Sequence, residues 1–348
     1  MKKVKQPNKL KKIDIYIFIA CVAFALIIAL GVLFKYSYTP INPNGNKDEV
    51  VLVDIPTGSS FYKATEILNK AGLIKSRYLF YYLAFTKRAF RSIRAGEYEF
   101  SDSMTPGAVI DKLLHGEIKT YKTVIPEDLT TKQIAEILMK DKLIDEETFM
   151  KLAFDRDFLK TLGITAKSIE GYLFPDTYYF DRSMSTRQIM RIMVSEFRKK
   201  ITPEMVKRAE GLGFNIHQFV TFASIVGKES GNQPEKPIIS AVFHNRLRKR
   251  MPLQSDPTAV YDLDDFSGKI RRSHLKRKSP YNTYVISGLP PGPIANPGID
   301  SLKATLNPAQ VNFLYFVSKK DGTHYFSPSL DMHNQAADEY RNIKYNKQ

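Results

Sequence analysis

The sequence predicts an α+β protein with three parts: a single N-terminal transmembrane helix, a duplicated α/β region, and a mixed α/β domain that runs to the C-terminus. Three observations predict it. Residues 15–34 form an apolar run without a charge. The stretch that begins at Val53 returns, motif for motif, 70 residues later. Beyond residue 165, segments of helical period are interrupted by a proline-rich loop and a strand-turn-strand pattern.

About 20 apolar residues are enough to span a bilayer as a helix. Lys2, Lys3, Lys5, Lys9, Lys11 and Lys12 precede the run. The positive-inside rule therefore places residues 1–13 in the cytoplasm, 14–35 in the membrane and the remainder outside. A cleaved signal peptide has a shorter apolar core that ends at a small-residue site. Here apolar residues continue past Ala23-Phe24-Ala25, which favours an uncleaved anchor. Cys21, the only cysteine, lies within the run, so outside the membrane the chain can form no disulfide, thiol nucleophile or cysteine-based metal site. A lipoprotein would need Cys21 to end the apolar core, and it does not. The net charge of +16 suits nucleic acid, an anionic membrane surface or an acidic polymer. An extracytoplasmic chain leaves the last two as expected partners and removes nucleic acid.

Residues 36–47, with Pro40, Pro43 and Gly45, read as a linker. Residues 48–165 carry the duplication. Val53-Asp-Ile-Pro56, Ala64-Thr-Glu-Ile-Leu68 and Gly72-Leu-Ile74 align with Thr123-Val-Ile-Pro126, Ile134-Ala-Glu-Ile-Leu138 and Lys142-Leu-Ile144. Each copy reads as a strand, a proline turn, a capped helix, a loop ending in Leu-Ile and a second helix. Ser59 or Ser60 caps the first, Thr130 or Thr131 the second. Between the copies, residues 96–100 alternate as a strand and 105–114 as a short amphipathic helix. Such a repeat is either an old duplication kept for packing or a pair of binding modules resembling LysM units, which grip glycan strands.

In residues 166–348, a Pro175-Asp176 turn is followed by amphipathic helices at 185–199 and 202–211. The stretch at the centre of the domain follows. Phe219, Val220, Phe222, Ala223, Ile225 and Val226 give a wide apolar stripe at helical period, and Glu229 projects from its flank, one turn beyond Ile225 and Val226. A carboxyl held against apolar side chains is desolvated, which raises its pKa and suits it to general-acid work. The alternative is a surface glutamate at a helix end stopped by Gly231.

The helix at 237–250 carries Ile238, Ile239, Val242 and Phe243 on one face, with Arg246 in the middle of that face and Asn245 at its edge. A buried arginine needs a carboxylate or several carbonyls; otherwise it snorkels to the surface. In Leu253-Gln-Ser-Asp-Pro-Thr258, Asp256 is expected to cap a helix with Pro257 at its first position. Tyr281-Asn-Thr-Tyr284 leads into a loop, 287–298, whose prolines and glycines exclude helix and central strand. Residues 313–317 and 323–326 form a hairpin through Asp321-Gly322, and 334–342 a last helix. His-Glu-x-x-His, Gly-x-Ser-x-Gly and phosphate-cradling glycine loops are absent from the sequence, so no metal or cofactor is expected.

Glu-Gly-Tyr-Leu-Phe-Pro-Asp-Thr (170–177), Ala-Ser-Ile-Val-Gly-Lys-Glu (223–229), Val-Phe-His-Asn-Arg-Leu (242–247), Leu-Gln-Ser-Asp-Pro-Thr (253–258), Tyr-Asn-Thr-Tyr (281–284) and Gly-Leu-Pro-Pro-Gly-Pro-Ile-Ala-Asn-Pro-Gly (288–298) occur in that order. Together they resemble the MltG (YceG-like) family of endolytic peptidoglycan transglycosylases over nearly the whole chain. The resemblance implies that residues 166–348 are a catalytic domain that cuts nascent glycan strands between N-acetylmuramic acid and N-acetylglucosamine. The product would carry a 1,6-anhydro end, and the cut could terminate strand elongation. It assigns the essential carboxylate to Glu229. It makes Asn245, Arg246, Gln254, Asp256, Tyr281, Asn282 and Thr283 candidates for orienting the site or binding sugar. It also implies peptidoglycan strands, the cell membrane and peptidoglycan synthases as partners. The family often has a second glutamate two residues before the essential one; Gly227 stands there in this chain, which removes a charge and loosens the helix by roughly 1 kcal/mol. Gly227 and the absence of tryptophan motivate a competing reading, a non-catalytic membrane-anchored scaffold that binds peptidoglycan and recruits synthases. A hydrolase using water would need a second carboxylate, for which Asp256 and Asp176 are the candidates.

Overall fold

The computed structural model describes residues 9–45, 49–91, 93–263, 266 and 268–342, with side chains omitted at 9–14, 91 and 341–342. The lysines at 2, 3 and 5 and the end of the expected linker at 46–47 lie outside the described residues, as do the side chains of Lys9, Lys11 and Lys12. The chain divides into two compact units, one running through Thr120 with Asp181–Ser183 added, the other comprising Tyr121–Phe180 and Met184 onward.

The first unit opens with α1, Lys9–Tyr38, longer at both ends than the 14–35 expected. Within its stretch Ile15–Tyr38 an 18-residue window reaches a mean hydropathy of 3.1, and none of that window is buried inside the protein. At 1.5 Å per residue those 24 residues are long enough to cross a hydrocarbon core of about 30 Å. Next come β1 (Val51–Ile55), α2 (Phe61–Lys70), α3 (Arg77–Thr86), β2 (Gly96–Phe100) and α4 (Pro106–His115). Ser60 caps α2, Ser76 caps α3 and Thr105 caps α4, each accepting a backbone N–H from the first turn. β1 and β2 pair antiparallel, Val51 opposite Phe100 through Ile55 opposite Gly96. Their inward residues join Phe61, Leu68, Phe80, Val109 and Leu113 in one core.

The second unit begins with the second copy: β3 (Tyr121–Val124), α5 (Thr131–Lys140), α6 (Glu146–Ala153), α7 (Arg156–Thr161) and β4 (Thr177–Phe180). α5 repeats α2 with the 70-residue offset, and Thr130 closes a capping box with Gln133. β3 pairs with β4, Tyr121 opposite Phe180, as β1 pairs with β2. The division at Thr120 therefore falls inside the expected 48–165 region. It puts the second copy in one unit with the residues beyond 165, because the strand that completes it lies at 177–180.

Then follow α8 (Thr186–Lys200), α9 (Pro203–Gly211), α10 (Ile216–Glu229), α11 (Lys236–Arg248), the one-turn α12 (Arg272–Leu275), α13 (Ile299–Leu306), the antiparallel hairpin β5 (Tyr315–Ser318) and β6 (His324–Ser327), and α14 (Leu330–Asn342). Residues 287–298 contain no helix or strand. α10 is buried on both faces. Phe219, Val220 and Ala223 pack with α5, α6 and α8. Phe222, Ile225 and Val226 pack with Ile239 and Phe243 of α11, Leu253 and Ile294. Nine consecutive residues of α10, Phe219 to Gly227, are buried, so its C-terminal end is fixed from both sides.

Candidate active site

Glu229 is the last residue of α10. Its side chain is part-buried, and its carboxyl sits against the fully buried Ser255, whose hydroxyl donates to Glu229 Oε1 at 2.6 Å. Burial is the largest influence on this carboxyl and pushes its pKa up to about 7; the negative charge of Asp256 adds to the rise, while the Ser255 hydroxyl, the Asp256 backbone N–H and Arg246 oppose it. The group can thus give a proton near neutral pH and take one back.

The loop that carries Ser255 is held by hydroxyls. Ser255 N donates to Thr283 Oγ1 at 2.9 Å, Thr258 Oγ1 donates to Ser255 O at 2.5 Å, and the Thr258 and Thr283 hydroxyls meet at 2.7 Å. Asn282 donates to the carbonyls of His274, Leu275 and Arg277. Arg246, 6% exposed, is buried rather than snorkelling. Its Nη1 donates to Pro252 O, Leu253 O and Gln254 Oε1 at 2.9–3.0 Å, and its Nε to Leu314 O at 2.6 Å. Carbonyls rather than a carboxylate satisfy it. Asn245 joins the same support by donating to Val311 O and Phe313 O.

The candidates thus separate into two groups. Asn245, Arg246, Asn282 and Thr283 are buried and engaged with protein; Arg246 and Thr283 bond the loop that carries Ser255, while Asn245 and Asn282 bond the segments at 311–313 and 274–277. Gln254 and Asp256 are exposed beside Glu229, and Tyr281 is part-exposed. Gln254 holds a φ of 55°, a left-handed conformation for a non-glycine residue, while its backbone N–H donates to Thr283 O. Asp256 does not cap a helix as expected. The short 3-10 turn Asp256–Ala259 starts after Ser255, whose hydroxyl is committed to Glu229, and Asp256 Oδ1 accepts from the Tyr284 hydroxyl at 2.5 Å. Asp176 accepts from its neighbour Thr177 N and pairs with Lys200, with no contact to Glu229.

A model of the YceG-like family matches residues 53–339. The chain belongs to the YceG-like family. It is 32% identical over 339 residues to a protein of Bacillus subtilis (strain 168) named endolytic murein transglycosylase, covering 91% of this chain and 92% of the relative. A protein of the same name from Streptococcus pneumoniae (serotype 2, strain D39 / NCTC 7466) is 28% identical, with 94% of this chain and 66% of the relative covered. A crystal structure of a YceG-like protein from Listeria monocytogenes is similar with a TM-score of 0.58 and 33% identity, over 82% of this chain and 98% of that one.

Two further features of this YceG-like chain escape sequence reasoning. Glu170, 5% exposed, accepts from Thr131 N and Oγ1, Asn296 Nδ2 and the Tyr261 hydroxyl. Burial raises its carboxyl to about 7 against those donors. Asn296 in turn accepts from Gly171 N and Leu173 N and donates to Leu129 O. Glu170 and Asn296 therefore join the 170–177 motif, the start of α5 and the proline-rich loop, and the Tyr261 ring meets that of Tyr281 at a tilt, centroids 4.7 Å apart. The second feature concerns Gly227. A Cβ there would collide with the Asp128 carboxyl. The position is therefore not left without charge, as the sequence suggested: Asp128, in the second copy's proline turn, brings a carboxyl to it. Burial pushes that carboxyl up to about 6, with Lys236 and Lys228 pulling it down and Glu127 adding to the rise. Glu127 sits likewise against Gly298, at the N-terminus of α13, and pairs with the buried Lys236 at 3.2 Å. Nothing in residue spacing announces these contacts; the only signal is an acidic pair directly after the proline of a repeat.

Proposed function

We propose that this protein is an endolytic murein transglycosylase, a lyase that cleaves peptidoglycan glycan strands internally. The observation that carries the activity is the 32% identity to the endolytic murein transglycosylase of Bacillus subtilis across nine-tenths of both chains. The role of Glu229 rests on its place at the end of a helix buried on both faces, with Ser255 as donor. Protonated, Glu229 donates to the oxygen that links N-acetylmuramic acid to N-acetylglucosamine. The C1–O bond breaks and an oxocarbenium-like centre forms. Glu229, now a carboxylate, takes the proton of the muramic C6 hydroxyl as that oxygen attacks C1. Water is not consumed, one bond replaces another, and the muramic residue ends as a 1,6-anhydro ring. The single residue acts as acid and then as base because the substrate supplies the nucleophile, unlike the paired-carboxylate scheme. Asp256 and Tyr284, whose charges act on Glu229, have surface that would meet sugar, with Gln254 next to Ser255 and Tyr281 beside Tyr261 as further candidates.

The domain assignment belongs to the same proposal. α1 anchors the chain in the cell membrane with the N-terminus in the cytoplasm, the two repeat copies act as LysM-like glycan-holding modules, and the remainder of the second unit carries the chemistry. Its partners are nascent peptidoglycan strands and, through them, the synthases that extend them. The non-catalytic scaffold is not favoured, since a scaffold has no use for an acid of raised pKa at the end of its central helix.

Detergent-solubilised full-length protein and its Glu229→Gln variant, incubated with purified peptidoglycan, test the reading by mass spectrometry of the soluble fragments. Anhydro-ended products from the native chain alone are expected. Reducing ends would indicate a hydrolase, with Asp256 as the second carboxylate. Binding without products from either protein would return the scaffold.

A further inference from the structure

One face of α3 is explained neither by the core nor by the proposed chemistry. Tyr78, Tyr82 and Phe85 are 82%, 55% and 71% exposed. Their spacing puts them in one stripe, opposite the buried Phe80, Leu83 and Ala84. Tyr62 of α2 is 60% exposed as well, its ring 5.0 Å from that of Tyr81. Four large aromatic rings in water on one small unit are more than scattered surface apolar residues require.

The repeat provides an internal control. Aligned on their caps, Ser76 and Asp145, α3 and α6 match in their buried residues: Phe80 with Phe149, Leu83 with Leu152, Ala84 with Ala153. The outward residues do not match. Tyr78 corresponds to Glu147, Tyr82 to Lys151 and Arg77 to Glu146, and only Phe85 keeps an aromatic counterpart, Phe154. The fold of the repeat therefore does not demand the stripe.

The stripe lies beside the end of α1. Phe34 meets the Tyr82 ring edge-on at 6.3 Å. Lys75, just before α3, donates to Tyr36 O and to Thr39 Oγ1 at 3.4 and 3.0 Å, and its ammonium lies 4.4 Å from the Tyr36 ring centre. Because the apolar run of α1 ends at Phe34 and the helix at Tyr38, these contacts hold α3 at the level where a spanning helix leaves the bilayer. Tyrosine is enriched at that level, where its ring lies among acyl chains and its hydroxyl among headgroups. Arg77 at the start of α3 and Arg88 just past its end bring positive charge to the same place.

We infer that α3 is a second membrane contact, lying in the lipid–water interface with Tyr78, Tyr82 and Phe85 immersed and Arg77 and Arg88 on anionic headgroups. The contact rests on α1 being an anchor and not on the transglycosylase activity. It would hold the first repeat copy flat against the membrane surface, leaving the second as the copy free of this constraint. Sugar-stacking by the same rings is the competing use. It is disfavoured by the adjoining span and by the loss of the stripe in a copy with the same fold.

The chain has no tryptophan, so Phe85→Trp gives a single reporter. The full-length variant is reconstituted into vesicles of phosphatidylcholine and phosphatidylglycerol, with and without brominated acyl chains. The expected result is blue-shifted emission, most of which is lost in brominated vesicles. Adding Tyr78→Glu and Tyr82→Lys, the residues that the second copy carries, should restore the emission and shift it to the red, with the thermal midpoint unchanged. Emission insensitive to bromine in the single variant, or quenching that survives the double replacement, overturns the contact. Emission that responds to added glycan strands and not to brominated lipid overturns it in favour of sugar-stacking. Vesicle flotation separates the two readings: a chain that does not float with lipid has no anchor, whereas one that floats but is not quenched has an anchor without this contact.

Discussion

The two carboxyls that burial raises most clearly, Glu229 and Glu170, respond oppositely to the same change. The Glu229 pKa rises from 4.5 to about 7 on folding, so the folded chain holds a proton that the unfolded chain has lost. That contribution to stability is complete below pH 4.5 and is lost as pH rises through about 7. An amide at 229 still accepts from Ser255 and titrates nowhere. Relative to the native chain, Glu229→Gln is therefore expected to gain stability between pH 5 and 8, by up to about 3 kcal/mol, while its turnover falls by roughly 100-fold or more. Denaturant midpoints of both proteins at pH 5 and 8 check the first part. Glu170→Gln should fail in the other direction. The Glu170 carboxyl accepts from four donors, of which only the Thr131 and Tyr261 hydroxyls can turn to accept from an amide NH2, so an amide there loses part of the set. We expect a loss of about 2–3 kcal/mol at neutral pH, seen as a lower midpoint. The apolar flank that Glu229 sits on was legible from helical period, although that period alone left a surface glutamate open. The partners of Glu170 were not, because they come from three separate stretches of chain and share no period.

Elements were more legible than contacts. The caps at Ser60 and Thr130, the helices at 185–199 and 202–211 and the hairpin through Asp321-Gly322 follow from local signals, and the structure has them. The Asp256 cap failed because cap preference is local, whereas the hydroxyl of Ser255 is claimed by Glu229 at the end of α10. Gly227 is the sharper case. Its sequence reading was a loosened helix; its structural role is to admit Asp128. Gly227→Glu is expected to destabilise this chain by at least 1–3 kcal/mol, about the cost of overpacking. Combined with Asp128→Gly it should recover much of that loss. A thermal-midpoint cycle over the two single variants and the pair measures the coupling, and additive effects would show that the two sites do not exclude each other.

At the scale of the molecule, the duplication was visible in the sequence as a 70-residue offset, but its partition was not. Repeats read as one region because they look alike; which unit each joins depends on the strand that closes it, and β4 lies beyond the apparent end of the repeat. A polypeptide of residues 121–348 should therefore unfold cooperatively. One of residues 166–348 should not, since it leaves β4 unpaired and takes Asp128, Glu127 and Thr131 from their partners. Circular dichroism melts of the two compare them directly.

The proline turn that delivers Glu127 and Asp128 also limits how such chains can be recombined. Two glycines, at 227 and 298, are shaped to an acidic pair in the second repeat, so that repeat and the helix ending in Glu229 must be inherited together. The first repeat carries no such obligation to α10. Exchange between relatives should respect a seam at Thr120–Tyr121, and chimaeras joined there should keep a working lyase, whereas chimaeras joined at the visible end of the duplication would mismatch two carboxyls with the backbone made to receive them.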